Sequence, residues 1–434
     1  MITYMAEVHE ELLHYIWKKR LIRGSSLETV HGEEIRVIEP GEQNFHAGPD
    51  FINARIRIGN LEWAGNVEIH MKTSLWSNHG HHQDPAYDNV ILHVVKQHDA
   101  EITNSRGRRI PTLVIPVPEN LLHLYEELRA EEGWLPCHPY IRNVQPNILQ
   151  QWYRQLNAMR FRVKRERITT LLNQNGFNKE ETLYRALASG FGLPINSLPF
   201  ELVAAGIPYR YMNEIRHSLA DLEALLFGQS GFLNSGINQT PYVKKLREIY
   251  RLREGSFTTK PLPVHLWKFL RLRPASFPTL RLSQFASLLH RRIPLSVSLL
   301  SFSNLSELEQ LLRVRASEYW DTHYIFGKCS PDSVKFIGRQ SIHSLIINVV
   351  VPFLYSVGKT EVNGFTLKRA RELLIDLEAE SNQIIKNWHK FGLKPVNAFE
   401  SQALIQLHHN FCEQKRCMDC MIGTTIMTGS IDEK

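Results

Sequence analysis

Cysteine is scarce in this chain, with five in 434 residues, which excludes a disulfide scaffold. Apolar runs are short as well. None reaches the ~18 residues of a membrane-spanning helix, and the longest, Ile342 to Val357, is interrupted by His343, Asn348 and Pro352. A signal peptide needs a basic start and an apolar core, and Glu7, Glu10 and Glu11 stand there instead. Fixed-length repeats, low-complexity tracts and an H-E-x-x-H helix are all missing. These absences point to a soluble protein without membrane contact, with the cytoplasm as the expected compartment. What remains is ordinary globular composition, 43% hydrophobic and 22% charged, in a chain long enough for about two to four domains.

Charge and histidine are unevenly spread. Residues 1–120 hold 12 Lys and Arg against 16 Asp and Glu, a net of −4, while the remainder carries a net of +11. A basic surplus of this kind suits a polyanionic partner such as nucleic acid, and equally suits mere solubility. Seven of the 20 histidines fall between His46 and His98, where acid–base or metal chemistry would be concentrated.

Hydrophobic periodicity divides the chain. Glu11–Arg20 has one apolar helical face. Alternating or apolar runs follow at Glu34–Ile38, Phe51–Ile58, Leu61–Lys72, Val90–Val95 and Arg109–Val117, the last with prolines that suit a sheet edge. In Phe51–Ile58 the alternation puts Ile52, Ala54, Ile56 and Ile58 on one face. Beyond Glu119 the pattern is helical: Leu121–Glu132, Ile148–Asn175, Glu180–Phe191, Met212–Phe227, Tyr242–Arg253, Phe277–Arg291, Ser303–Ala316, Ser341–Val357, Phe365–Phe391 and Asn397–His409. Gly255–Pro263 and Pro274–Pro278 read as loops. The expected organisation is an α/β domain over 1–120, a mainly helical basic region over 121–400, and a C-terminal helix with a cysteine cluster over 401–434.

The strongest chemical pattern lies in Ala47–Lys72. Asp50 opens one strand and Glu68 lies on the next. If those strands pair, two carboxylates converge and can bind Mg²⁺ or Mn²⁺ through hard oxygen ligands. Strand alternation places Glu68, His70 and Lys72 on a shared face, so His70 or Lys72 could orient a water or take its proton. The order of helix, strand, GPD-bearing strand and strand with Glu-x-basic resembles the PD-(D/E)xK nuclease superfamily. Pro49-Asp50 and Glu68-Ile69-His70 match its motif, with His70 where that pattern has Lys. The resemblance implies a restriction-endonuclease-like mixed sheet, and a third acid from the preceding helix, for which Glu10 or Glu11 is placed. A separate expectation draws on Trp76–Asp88, where His79, His81, His82 and Asp84 could ligate zinc.

Three cysteines stand close together, Cys412-x4-Cys417-x2-Cys420. Clustered thiols in a reducing compartment favour zinc or an iron–sulfur cluster over disulfides. A fourth ligand could be His408, His409, Cys329 or Cys137. For nucleic acid, one helical stripe of Arg160, Lys164 and Arg167 and the segment carrying Lys268, Arg271, Arg273 and Arg281 among Trp and Phe offer phosphate contacts and stacking.

Taken whole, the chain resembles the domain of unknown function 2851 family of bacterial proteins, through HAGPDFINARIRIG, EWAGNVEIHMKTSLW, AYDNVILHVV, ALLFGQSG, WKFLRLRPASFP and CEQKRCMDCMIG. That resemblance brings no activity. The functional expectation rests on Asp50 and Glu68: a divalent-metal-dependent phosphodiesterase acting on nucleic acid, DNA above all. Its alternative is a non-catalytic nucleic-acid-binding or scaffold protein on a degenerate nuclease-like fold.

Overall fold

The computed structural model describes residues 9–22, 27–234, 240–253, 255, 259–291, 294–362 and 364–432. Glu7 and part of the Gly255–Pro263 loop lie outside them. The chain forms two compact units, Met1–Trp152 with Leu407–Lys434, and Tyr153–Gln406. The first unit thus runs past residue 120, and the C-terminal segment joins it rather than standing apart.

In the first unit, α1 (Glu10–Lys19) buries Leu12, Leu13, Ile16 and Trp17, the face that its periodicity predicts. It ends at Arg20 in a left-handed conformation, with Lys18 and Lys19 at the negative end of the helix dipole. Seven strands follow: β1 (Leu27–Glu28), β2 (Glu34–Glu39), β3 (Glu42–Gln43), β4 (Phe51–Ile58), β5 (Leu61–Lys72), β6 (Val90–Gln97) and β7 (Thr112–Val114). They form one mixed sheet in the order β1-β2-β4-β5-β6-β7, with β3 also on β4. β4 and β5 pair antiparallel, whereas β5, β6 and β7 are parallel. The short α2 (Leu75–Asn78) and two single turns connect β5 to β6. β7, flanked by prolines, ends the strand order, as those prolines suggest.

β4 departs from simple alternation. Asn53 has φ 58°, and the register slips between Phe51 and Ala54. This bulge resets the pleat, so Phe51 joins Ala54, Ile56 and Ile58 in the core and Ile52 is only half-buried. β5 is an inner strand. Its first half is largely exposed, and over Val67–His70 both faces are buried. Of the expected shared face, Glu68 and His70 are therefore enclosed and Lys72 is exposed. α3 (Glu119–Ala130) and the start of α4 (Pro146–Gln174) complete this unit.

The second unit is helical around one large core. The 29-residue α4 matches its predicted span. Met212–Phe227 is instead two helices, Tyr209–Glu214 and Leu219–Gln229, because Ser218 caps the second through Asp221 N–H. Phe365–Phe391 likewise breaks into Gly364–Asp376 and Gln383–Lys390, with Asn382 as the N-cap. One helix, Arg339–Thr360, is long and apolar enough to cross a membrane by composition, yet 72% of its apolar window is buried inside the protein. Its Ile346–Val350 segment is a π-helical turn preceding Pro352, which accommodates the ring within a continuous helix.

Candidate metal centre and basic pocket

Local geometry brings the two acids together. Gly48, at φ 105°, turns the chain before Pro49, and Asn44 Nδ2 donates to the Pro49 carbonyl at 3.1 Å. Asp50 then enters β4 opposite Glu68, since Phe51 pairs with Val67. The two side chains cross. Asp50 N–H donates to Glu68 Oε2 at 3.1 Å, and Ile69 N–H donates to Asp50 Oδ2 at 2.9 Å. Each carboxylate is thus fixed by the other strand's backbone.

α1 supplies the third acid. Glu10 accepts from Met71 N–H and lies in the field of His14, Asp50 and His79. Glu11 instead accepts from Tyr125 Oη at 3.1 Å, so Glu10 is the residue that reaches the site. Burial raises the Glu10 pKa. Burial also pushes Glu68 up to about 8, and the neighbouring charges acting on it, Asp50 and Glu10, are both acidic. Glu68 is only 4% exposed.

Four imidazoles surround the acids. His14 Nε2 lies 3.4 Å from Asp50 Oδ2. His70 Nε2 and His81 Nε2 lie 3.5 and 3.3 Å from Glu68 Oε1. His79 Nδ1 is 3.1 Å from His70 Nε2, and His70 Nδ1 is 2.9 Å from His93 Nε2, a chain of three rings running inward. The ligand atoms of His70, His79 and His81 all lie within 4.8 Å of one another. Gly80, at φ 80° between His79 and His81, makes the turn that presents both rings. Tyr87 stacks on His81 at 3.8 Å. Burial lowers His70 to about 4 and lowers His81 and His93 too, so these rings do not neutralise the acids at pH 7.

Other expected members are placed elsewhere. Lys72, at the end of β5, is exposed and acts on Asp99; its ~6–7 Å rise beyond His70 carries it away from the acids. Asp84 caps a turn through Ala86 N–H, and Asp88 holds Ser105 and Arg106. His82 contacts Gln83. A zinc group of His79, His81, His82 and Asp84 is therefore not assembled; His79 and His81 join His70 instead. His14 and His93 were the members without a motif. Only His14's i+4 relation to Glu10 could have flagged it.

The donor set fits a divalent cation. The Nε2 atoms of His14 and His81 are buried and form no hydrogen bond, although carboxylate oxygens stand close by. Oxygen and imidazole donors converge without satisfying one another. Imidazole favours Mn²⁺ or Zn²⁺ over Mg²⁺, and carboxylates suit Mn²⁺.

Cys137, Cys412, Cys417 and Cys420 belong to one compact unit, but among the described residues no three of their sulfurs lie within 4.8 Å of one another as the ligand atoms of His70, His79 and His81 do. His408 is engaged elsewhere: its ring stacks on Trp134 at 4.1 Å and its Nε2 meets Glu413 at 3.1 Å. Cys329, exposed, contacts His323.

In the helical unit Arg160 and Lys164 of the expected basic stripe are half-buried against neighbouring side chains, whereas Arg167 is exposed. Arg160 donates to Gln402 at 2.5 Å, and Lys164 donates to Asn348 and Gln402, both at 2.8 Å. Arg167 holds Ser189 and Glu201. Arg281 is buried on Gln284 and Ser341, and Trp267 is buried with its indole N–H on the Ser230 carbonyl. These groups are spent on structure. Lys268, Arg271 and Arg273 are exposed. Another face of α4 carries further cations, of which Arg162 pairs with Glu166 at 3.2 Å. Arg154, Arg162 and Arg165 line a cavity of about 480 Å³ with Lys359, Arg371, Phe161, Tyr355 and Phe399. No acid lines it. Helical periodicity specifies a stripe, and packing decides which of its members are covered.

No curated protein and no solved structure matches the chain. The sequence model of the family described as "Protein of unknown function (DUF2851)" matches residues 10–383, and the chain belongs to that family.

Proposed function

We propose that the N-terminal unit is a divalent-metal-dependent phosphodiesterase, a nuclease of PD-(D/E)xK type, and that its substrate is nucleic acid, DNA above all. The observation that carries this reading is the crossed Asp50–Glu68 pair with Glu10 beside it. Asp50 and Glu68 would hold the cation, with Mn²⁺ the better match than Mg²⁺ because of the adjoining imidazoles. A cation there would lower the pKa of a bound water and offset charge on a phosphoryl oxygen.

The protein's own groups supply the rest. Backbone N–H groups of Asp50 and Ile69 orient the two carboxylates, and Glu10 stands within their field. The His79–His70–His93 chain can align its protons inward. In that alignment His93 Nδ1 and His70 Nδ1 carry hydrogens, His79 Nδ1–H donates to His70 Nε2, and the His79 Nε2 lone pair is left outward. His79, exposed, is then the acceptor for a proton from attacking water, a task that buried His70 cannot perform directly. The acid-free pocket of Arg154, Arg165 and Arg371 suits the phosphate backbone, and its aromatic rings suit stacked bases.

A second reading has its own support. His70 replaces the lysine of the motif and is committed to two imidazole neighbours, which suits a nucleic-acid-binding protein that has lost hydrolysis. Cleavage of plasmid and single-stranded DNA with Mn²⁺, Mg²⁺ or chelator, by wild type, Asp50→Ala and Glu68→Ala, decides between them. Metal-dependent cleavage lost in both variants establishes the enzyme. DNA retention without cleavage by any of the three establishes the binder. Equal cleavage by all three removes the Asp50–Glu68 proposal.

A further inference from the structure

β5 and the connection that follows it bring three imidazoles to one point. His70 lies on the enclosed half of β5, His79 caps the C-terminus of α2, and His81 opens the next turn beyond Gly80. The connection is anchored by other residues. Ser74 N–H and Oγ donate to the two Asp99 carboxylate oxygens at 2.8 and 2.9 Å, and the buried Trp76 indole donates to the Thr103 carbonyl at 3.0 Å. The ligating nitrogens of the three rings all lie within 4.8 Å of one another, with His79 Nδ1 and His70 Nε2 at 3.1 Å. Ring centroids are 4.9 Å apart for His70–His79, 5.4 Å for His70–His81 and 5.5 Å for His79–His81. Three imidazoles on one tetrahedral zinc, at Zn–N of about 2.0–2.1 Å, hold their centroids about 5.2 Å apart and their nitrogens about 3.3 Å apart. The observed triangle has nearly equal edges and that size.

Further observations point to a cation rather than to packing alone. His81 is 8% exposed, and its Nε2 is buried without a hydrogen bond. His70 Nδ1 meets Nε2 of the fully buried His93 at 2.9 Å. With His70 Nδ1–H donating to His93, the His70 Nε2 lone pair faces the shared point, the orientation that an outer hydrogen-bond partner imposes on a ligating imidazole. Glu68 divides its oxygens. Its Oε2 accepts from Asp50 N–H at 3.1 Å, whereas its Oε1 stands 3.5 Å from His70 Nε2 and 3.3 Å from His81 Nε2. The imidazoles gather on one Glu68 oxygen and Asp50 on the other.

We propose that His70, His79 and His81 are the three protein ligands of a zinc site distinct from the Asp50–Glu68 cation, with its fourth position beside Glu68 Oε1. Neutral imidazoles in a tetrahedral set favour Zn²⁺ over Mn²⁺ or Mg²⁺. Zinc takes the His79 Nδ1 lone pair and leaves the His79 hydrogen on Nε2, so the ring no longer accepts a proton from water. Zinc is thereby an inhibitor of Mn²⁺-dependent cleavage. That consequence rests on the hydrolytic reading above; the zinc site itself does not.

The test titrates full-length protein, stripped of metal, with Zn²⁺ against a chromophoric chelator, and uses Co²⁺ as a spectroscopic probe. Wild type, His79→Ala, His81→Ala, His82→Ala and Asp50→Ala are compared, with circular dichroism to check folding. Wild type binds about one zinc per chain, and its Co²⁺ form shows the intense visible bands of four-coordination. His79→Ala and His81→Ala each weaken zinc binding at least about tenfold. His82→Ala and Asp50→Ala stay within about threefold of wild type. Should His81→Ala fail to fold, His79→Ala decides, because His79 is exposed. Wild type without stoichiometric zinc overturns the proposal, as does unchanged binding in His79→Ala. Equal losses in Asp50→Ala and His79→Ala show one shared cation and overturn it too. Zinc is read directly, so a protein that cleaves no DNA removes the hydrolytic reading and leaves the zinc site standing. Where cleavage is present, Zn²⁺ added to the Mn²⁺-loaded wild type lowers its rate at least about tenfold, and undiminished cleavage with zinc bound overturns the inhibition.

Discussion

Glu68 in the sheet unit is a buried ionisable group and Lys164 in the helical unit a half-buried one, and they are treated in opposite ways. Lys164 is met by two neutral amide oxygens, Asn348 and Gln402, each at 2.8 Å. Glu68 accepts one backbone N–H, and the charges that reach it are those of two further acids. Close to it, the Nε2 atoms of His14 and His81 have no hydrogen bond. A buried charge whose donors and acceptors are matched is part of the architecture. A buried acid among acids and unbonded imidazoles lacks a partner, and a cation completes it.

The largest expected effect breaks the acid side of this contrast. Asp50→Ala or Glu68→Ala lowers metal-dependent cleavage by at least about 100-fold, measured as initial rates on plasmid DNA. His79→Ala lowers the same rate by a smaller factor, about tenfold or more. A rate unchanged in His79→Ala would show that the three-ring chain carries no proton. Calorimetry sharpens the contrast. Mn²⁺ at about 100 times its Kd stabilises the wild type by about 2.7 kcal/mol and raises Tm, and the rise disappears in Asp50→Ala.

The basic side is read by binding. Arg165→Ala and Arg371→Ala each weaken DNA binding several-fold and reduce the salt-dependence slope by about 1. Arg281→Ala, which removes a buried structural cation, lowers stability and leaves the slope intact. The smallest effect concerns Lys164. Burial, with Arg160 nearby, holds its pKa well below the ordinary lysine value. The unfolded chain therefore binds more protons at alkaline pH, and stability rises as pH climbs from the lowered value towards the ordinary one. Lys164→Met flattens that rise in denaturation midpoints measured between pH 7 and 10.

Much of the site was legible because its two acids sit at fixed positions on neighbouring strands. Asp50 before β4 and Glu68 within β5 meet once a hairpin joins them, and the Gly59-Asn60 turn declares that hairpin. The face of β4 was harder to read, because the bulge at Asn53 moves Phe51 into phase with the core. A bulge adds one residue to the count and leaves no sharp mark in composition. His79 and His81 stood out by density, but their grouping with His70 depends on Gly80 and on the return of the chain over β5. For α4 the periodicity placed Arg160, Lys164 and Arg167 on one stripe, but packing engages Arg160 and Lys164 and leaves Arg167 exposed.

From sequence alone came the alternation of strands and helices, the burial of α1, the acid pair on adjoining strands and the thiol-rich end of the chain. These are properties of near neighbours, set by the 2.0- and 3.6-residue periods of the backbone. Tertiary structure decided which acid of α1 enters the site, which histidines join it and which residues of α4 meet solvent. Each of those outcomes depends on residues far apart in the chain approaching one another, and a periodicity that specifies a face does not specify what will cover it.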